Sequence, residues 1–166
     1  MLRAKFGKDY IRKELAKQRQ AIVSDLVRIA AREGEKFLSD ARSSLNIDGA
    51  AFPQGDYTDR TGNLRSSIGY AVLVDGEVIV SKIPNTAEGI SAFTNILESL
   101  PWARGIVFVG LAGMNYASYL EAMGYNVISS QWDVAMVDLS AALKKYETMA
   151  NRRLLRTEIN IIDKLK

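Results

Sequence analysis

The chain has 166 residues, of which 48% are hydrophobic and 25% charged, and its formal net charge is +3. This length and composition are typical of one compact globular domain, and they exclude general disorder, a collagen-like repeat and a membrane bundle. The longest apolar stretch, Ile106 to Ala112, is far shorter than the ~20 residues of a membrane-spanning helix. No apolar segment of a secretory signal follows the basic start, so we expect the chain to stay in a cytoplasm.

The chain contains no Cys and no His. These absences remove thiolate nucleophiles, thiolate and imidazole metal ligands, and the usual serine triad. Acid–base catalysis would have to use Asp, Glu, Lys or Tyr with shifted pKa values. We therefore predict that the protein is not an enzyme and that it has no catalytic residue, no metal and no cofactor.

The positive charge is concentrated at the two ends of the chain. Residues 1–20 carry a net charge of +5 and residues 144–166 carry +4, which leaves −6 for the remainder. Two basic ends around an acidic body favour contact with nucleic acid or with an acidic protein surface. Solvated helix faces are the simpler interpretation of the same pattern.

The N-terminal half predicts a long helix followed by a hairpin. Apolar residues recur every three to four positions from about Ile11 to Leu45, as in an amphipathic helix. Gly34 lies within this helix and predicts a kink or a break. Residues 46–63 are rich in turn formers and predict an exposed loop. The turn signal Asp75-Gly76 then predicts a hairpin, with strands Ser67–Val74 and Glu77–Lys82.

The C-terminal half predicts helices around a third strand. A short helix is expected near Ile90–Leu100, between Pro84 and Pro101. The run Ile106–Leu111 is so apolar that we expect this third strand at the centre of the sheet. The elements predicted after it are a short helix capped by Gly124, a short fourth strand and a last helix, at Met114–Met123, Val127–Ser129 and about Asp133–Ile162.

This order of elements predicts an α+β fold. It consists of a long N-terminal helix, a three- to four-stranded, mainly antiparallel sheet, a short helix and a C-terminal helix, with the helices on one face of the sheet. We expect residues 1–150 to form a single domain and residues 151–166 to form a basic helical tail.

One pattern suggests nucleotide binding but is better explained as a tight turn. A strand with Gly110, then Gly113 and a helix, resembles the start of a dinucleotide-binding fold. The GxGxxG spacing is absent, however, and no acidic residue ends the following segment, where one would bind the ribose.

Two polar groupings are also better explained by structure than by chemistry. Asp56 and Asp59 lack the further oxygen ligands of a metal site, so they are interpreted as turn formers. Tyr116 and Tyr119 share a helix face from which Glu121 points away, which predicts packing and an interface role and not acid–base catalysis.

Two short motifs carry a resemblance to a known family. Thr-Gly-x-Leu-Arg-x-Ser-Ile leads from the loop into the first strand, and a glycine in the third strand is followed by Tyr-Ala, Glu and Gly. In this order, over roughly residues 10–150, the chain resembles the head–tail connector or tail-completion family of tailed bacteriophages and prophages. The matching residues, which are our candidate interface positions, are Thr61, Gly62, Leu64, Arg65, Ser67, Ile68, Gly110, Tyr116, Ala117, Glu121 and Gly124.

The chain departs from the family pattern at two places. Family members often continue after the second glycine with Thr and a proline-aromatic turn, whereas Gly124 is followed by Tyr-Asn-Val-Ile. Residues 83–105 look like an insertion.

The resemblance implies a structural virion protein: a neck or tail-completion protein that joins head and tail. Such proteins assemble as homo-oligomeric rings, commonly sixfold, between the portal and the tail, and they are found in the virion and, during assembly, in the host cytoplasm. The implied partners are other copies of the chain and the phage portal or adaptor and tail proteins. DNA would pass through the lumen without specific binding, and no membrane is involved.

We expect the ring interface to use the sheet edge, the loop 46–63 and the long helices, since a ring needs head-to-tail contacts. Arg65 and Glu121 have opposite charges and are expected to lie close together, within a subunit or across an interface. The alternative function is a nucleic-acid-binding accessory protein that uses the basic helical ends. Salt separates the two functions, because phosphate contacts weaken steeply with ionic strength.

Overall fold

The computed structural model describes residues 7–47 and 57–164. Within them the predicted α+β fold class is confirmed, with a long helix at each end and a three-stranded antiparallel sheet between them. The elements are α1 (Lys8–Ser43), β1 (Asn46–Ile47), β2 (Thr58–Asp59), α2 (Asn63–Ser66), β3 (Ile68–Val74), β4 (Glu77–Lys82), α3 (Ala87–Glu98), β5 (Ile106–Ala112), α4 (Ala117–Ala122) and α5 (Ser129–Lys164).

The strand at the centre of the sheet is β3 (Ile68–Val74). The prediction that the run Ile106–Leu111 forms the central strand was therefore wrong, because this run is β5, at one edge. The order is β4-β3-β5, and both outer strands run antiparallel to β3. β5 is an edge strand, and most of its side chains are only partly buried. Its apolar composition has another cause: helices cover both faces of the sheet, and apolar residues on β5 pack against them.

Helices lie on both faces of the sheet, which corrects the prediction that they lie on one face. Side chains of alternate strand residues point to opposite faces. Tyr70, Val72 and Phe108 pack in a cluster with α1 and α5, whereas Ala71 and Leu73 pack against Phe93 and other residues of α3. The segment that looked like an insertion therefore closes the second face of the core.

The predicted fourth strand is absent from the described residues. Val127 is fully buried, and Ile128 leads directly into α5, which begins at Ser129. The backbone N–H groups of these three residues donate to the Glu121 carboxylate. A short apolar run was thus mistaken for a strand because it is buried beside a helix start.

α1 continues through Gly34 without a break, so the predicted kink was wrong. Gly34 is buried against the ring of Tyr70 on β3. A Cβ atom at this position would lie 2.9 Å from the Tyr70 Cζ and closer still to Cδ2 and Cε2. The glycine is therefore required by close packing between helix and sheet, and not by a change in helix direction.

α1 and α5 lie side by side and antiparallel. Lys36 forms an ion pair with Asp138, and eleven residues earlier on α1 Asp25 accepts a hydrogen bond from the Tyr146 hydroxyl at 3.2 Å. Arg19 lies 3.5 Å from Asp75 in the β3–β4 turn, so residues 8–18 of α1 extend beyond the sheet by roughly 16 Å. The basic first turns of α1 and the basic end of α5 therefore lie at the same pole of the molecule.

Replacing Gly34 with Ala should destabilise the protein although Ala is the better helix former. The gain in helix propensity is about 1 kcal/mol, but the added methyl group overpacks the Tyr70 ring. We expect the free energy of unfolding to fall by about 1–2 kcal/mol, measured by urea denaturation.

The matched control is Ser24→Ala at an exposed position of the same helix, which should change stability by no more than about 0.5 kcal/mol. Equal stabilisation by both substitutions would contradict the packing of Gly34 on Tyr70.

Candidate functional site

The two sequence motifs meet at one end of the sheet. The Gly113 N–H donates to the Ser67 carbonyl at 3.0 Å, and Ile68 at the start of β3 pairs with Ala112 at the end of β5. Two segments far apart in sequence are thus hydrogen-bonded neighbours. One is the first motif, residues 61–68, and the other is residues 113–124, which carry most of the second motif. We call these two segments together the motif junction.

The first motif is held mainly by its buried residues. Leu64, Ser67 and Ile68 are fully buried, and the Ser67 hydroxyl donates to the Leu64 carbonyl at 2.8 Å. Thr61 is exposed, and Gly62 begins the short helix α2 with a left-handed backbone conformation (φ 73°). These residues shape a turn and fix the start of β3 in the core.

Two arginines connect the motif junction to the end of α1. Arg65 Nη2 donates to the Leu45 carbonyl at 2.6 Å, and Arg42 Nη2 donates to the Ile68 carbonyl at 3.0 Å. The backbone N–H of Arg65 donates to the Asp59 carboxylate at 2.8 Å. The buried Asp59 is therefore a local cap for α2 and does not face an open metal site.

Glu121 holds the start of α5. Its Oε1 accepts hydrogen bonds from the N–H groups of Val127, Ile128 and Ser129 at 3.1, 2.8 and 3.0 Å, and its Oε2 accepts one from the Ser129 hydroxyl at 2.6 Å. Burial alone would raise the pKa of this carboxyl, but the hydrogen bonds outweigh it and lower the pKa. The carboxylate satisfies N–H groups that a helix start otherwise leaves without a partner.

The expected ion pair between Arg65 and Glu121 does not form within the described part of the chain. Each group has other partners: the guanidinium bonds a backbone carbonyl, and the carboxylate bonds backbone N–H groups. A pairing across an interface stays a prediction.

The remaining motif residues also have packing roles. A Cβ atom at Gly110 would lie 2.7 Å from the Trp132 ring and 2.9 Å from the Phe37 ring, so only glycine lets both aromatic rings pack on β5. Ala117 is buried, and Gly124 ends α4 as the predicted cap, with φ 87°. Tyr116 lies beside the first motif, and its pKa is raised by burial and then by the nearby Asp59 carboxylate.

The motif junction offers packing and hydrogen bonds but no assembled catalytic group. Tyr119 is exposed, and around Gly110 the sheet is antiparallel, unlike the parallel core of a dinucleotide-binding fold. Among residues 7–46 and 57–151, whose side chains the structure describes, no three acidic side chains lie close enough to hold a metal ion. Asp56 lies outside the described residues.

No protein-family model, curated protein or solved structure matches this chain. The resemblance to phage connectors therefore depends on the two sequence motifs alone and stays a prediction. In the described part of the chain, no helix is both long and apolar enough to span a bilayer.

Replacing Glu121 with Gln should destabilise the protein at neutral pH, because an amide oxygen is a weaker acceptor for several N–H groups than a carboxylate. Hydrogen bonds to charged groups contribute about 1.5–3 kcal/mol, so we expect the free energy of unfolding to fall by about 1–2 kcal/mol at pH 7.

The difference in the free energy of unfolding between the wild-type protein and the Glu121→Gln variant should depend on pH. Since the folded-state pKa is lowered, the extra stability is fully present above the unfolded pKa of about 4.3 and is lost as the pH falls through the folded-state pKa. Urea denaturation from pH 7 to pH 3 measures this, with the exposed Glu98→Gln as control. A difference that stayed constant over this range would contradict the capping role.

Proposed function

We propose that this protein is a structural virion protein of the head–tail junction, which assembles with copies of itself as a ring between portal and tail. The observation that carries the proposal is the bonded contact between the two motifs at the Ser67 carbonyl and the Gly113 N–H. Their contact supports the view that they belong to one structural unit.

The exposed apolar side chains support a role in assembly. Large apolar residues are exposed on several elements, among them Ile11, Leu15 and Ile22 on α1, Val78 and Ile79 on β4, and Val134 and Val137 on α5. On α1, Ile11, Leu15 and Ile22 recur at helical spacing on one side of the helix, and exposed apolar residues grouped in this way are typical of surfaces that bind other proteins. A ring requires two different surfaces on each copy, because its contacts are head-to-tail.

The charge distribution fits a channel for DNA. If the acidic body faces the lumen, DNA passes without strong binding. The first turns of α1 and the last turns of α5, which are the described parts of the basic segments, lie at the pole opposite the motif junction, and they would contact an acidic neighbouring protein.

The convergence of the two basic ends also favours one alternative, a nucleic-acid-binding accessory protein. Residues 8–20 of α1 and residues 144–164 of α5 belong to the two basic segments of the sequence and lie at the same pole, which concentrates positive potential. Binding of this kind weakens steeply with salt.

Native mass spectrometry after dialysis from high salt separates the two functions. A ring held by apolar contacts should persist through about 0.5 M salt, where surface charges are strongly screened. DNA binding measured by fluorescence anisotropy should be weak and should vanish over the same range. A monomer that binds DNA tightly at low salt would instead support the alternative.

Deletion of the gene from the phage or prophage that carries it tests the role in the virion. We expect electron microscopy to show DNA-filled heads and separate, complete tails, and a plasmid copy of the gene should restore joined particles. Normal particles after deletion would contradict the proposed function.

A further inference from the structure

The outer edge of β5 presents backbone groups that no described residue binds. In the β3–β5 ladder, the Asp75 N–H bonds the Gly105 carbonyl and the Gly113 N–H bonds the Ser67 carbonyl. The hydrogen-bonded pairs therefore involve the odd-numbered residues of β5. The even-numbered residues direct their N–H and C=O groups outward, and these are Ile106, Phe108, Gly110 and Ala112.

This edge has none of the features by which proteins normally prevent strand pairing. β5 contains no charged residue and no proline, and its register with β3 is unbroken over seven residues. Edge strands are usually protected by charges, prolines or bulges. An open apolar edge is therefore a site for another β-strand.

The opposite edge of the sheet is protected. β4 begins with Glu77 and ends with Lys82, and its register with β3 shifts at Val72/Leu73, as in a β-bulge. A bulge bends and twists the strand and disrupts regular pairing. β4 is thus a poor match for the open edge. β1 and β2 are only two residues long.

We propose that in the free protein the β5 edge is occupied by β5 of a second copy, antiparallel and related by a twofold axis at Val109. In this register Ile106 pairs with Ala112 and Phe108 with Gly110 of the other copy, so every outward residue is hydrogen-bonded. The strand is self-complementary because it carries no charge that would oppose its own copy.

The neighbouring helix continues this surface. On α5, Trp132 stacks on Phe108 of β5 and Asp138 pairs with α1. Met136 and Ser140 lie two residues to either side of Asp138, on the side of α5 that faces away from α1. Both are exposed, and the pairing would bring them toward α5 of the second copy.

This inference is independent of the proposed function. A twofold contact closes on itself, whereas a ring needs head-to-tail contacts, so the paired form would exist outside the ring. It would protect an aggregation-prone edge until assembly partners are present.

The experiment uses Val109→Cys. Any disulfide that this variant forms must join two copies through the cysteine introduced at position 109, because the chain has no native cysteine. At the twofold axis Val109 and its copy form a non-hydrogen-bonded pair with Cα atoms about 4.5 Å apart, within the range of disulfides. In the fraction of the wild-type protein that is not assembled as a ring, we expect native mass spectrometry to give a mass twice that of one chain. Mild oxidation should convert most of the Val109→Cys protein to a covalent dimer.

Three further variants complete the test. Ile79→Cys, on the exposed part of β4, is the matched control and should form little covalent dimer. Val109→Lys places like charges at the axis and should raise the dimer dissociation constant by about tenfold or more, whereas Ile79→Lys should not. Circular dichroism checks that each variant is folded.

Three results would overturn the inference: a monomeric wild-type protein, crosslinking of Ile79→Cys in place of Val109→Cys, or a ring in which Val109→Cys stays reduced. The last result would leave the proposed function intact and reject only the twofold pairing. A covalent Val109→Cys dimer together with joined phage particles after gene deletion would reject the proposed function alone.

Discussion

The contact between α1 and the central strand determines where the other elements can lie. The fully buried Tyr70 ring fills the space beside Gly34, and its hydroxyl donates to Glu35 at 2.9 Å. Burial and this hydrogen bond raise the pKa of Tyr70, so the phenol keeps its proton. Lys82 of β4 contacts the same carboxylate at 3.4 Å. Since protein interiors tolerate little change in volume, this contact holds α1 in one register on the sheet.

That register gives the molecule two different poles. The C-terminal end of α1 reaches the motif junction, where Arg42 and Arg65 bond backbone carbonyls. Glu121 then sets the start of α5, which returns antiparallel to α1. The first turns of α1 and the last turns of α5 therefore lie at the same far pole, although they are separated by most of the sequence. The two sheet edges lie between the poles, one protected and one open.

Local patterns predicted the long helices, the hairpin and the strand β5, because periodicity and turn residues act over short distances. The errors all involve contacts between distant segments. Gly34 was interpreted from helix propensity, whereas the Tyr70 ring decides its role. Val127 was assigned to a strand because an apolar run cannot reveal which surface buries it. Opposite charge suggested that Arg65 and Glu121 pair, but backbone groups that no sequence pattern identifies are their partners.

The motif residues are mostly internal, and this limits what the motifs can say about partners. Leu64, Ser67 and Ile68 are fully buried, and Glu121 binds its own chain. The resemblance therefore concerns the construction of the motif junction, while recognition of other molecules must use exposed groups elsewhere. At β5, where we propose pairing with a second copy, those groups are backbone N–H and C=O, which every sequence possesses. The only trace that such a surface leaves in a sequence is the absence of charge and proline, as in Ile106 to Ala112.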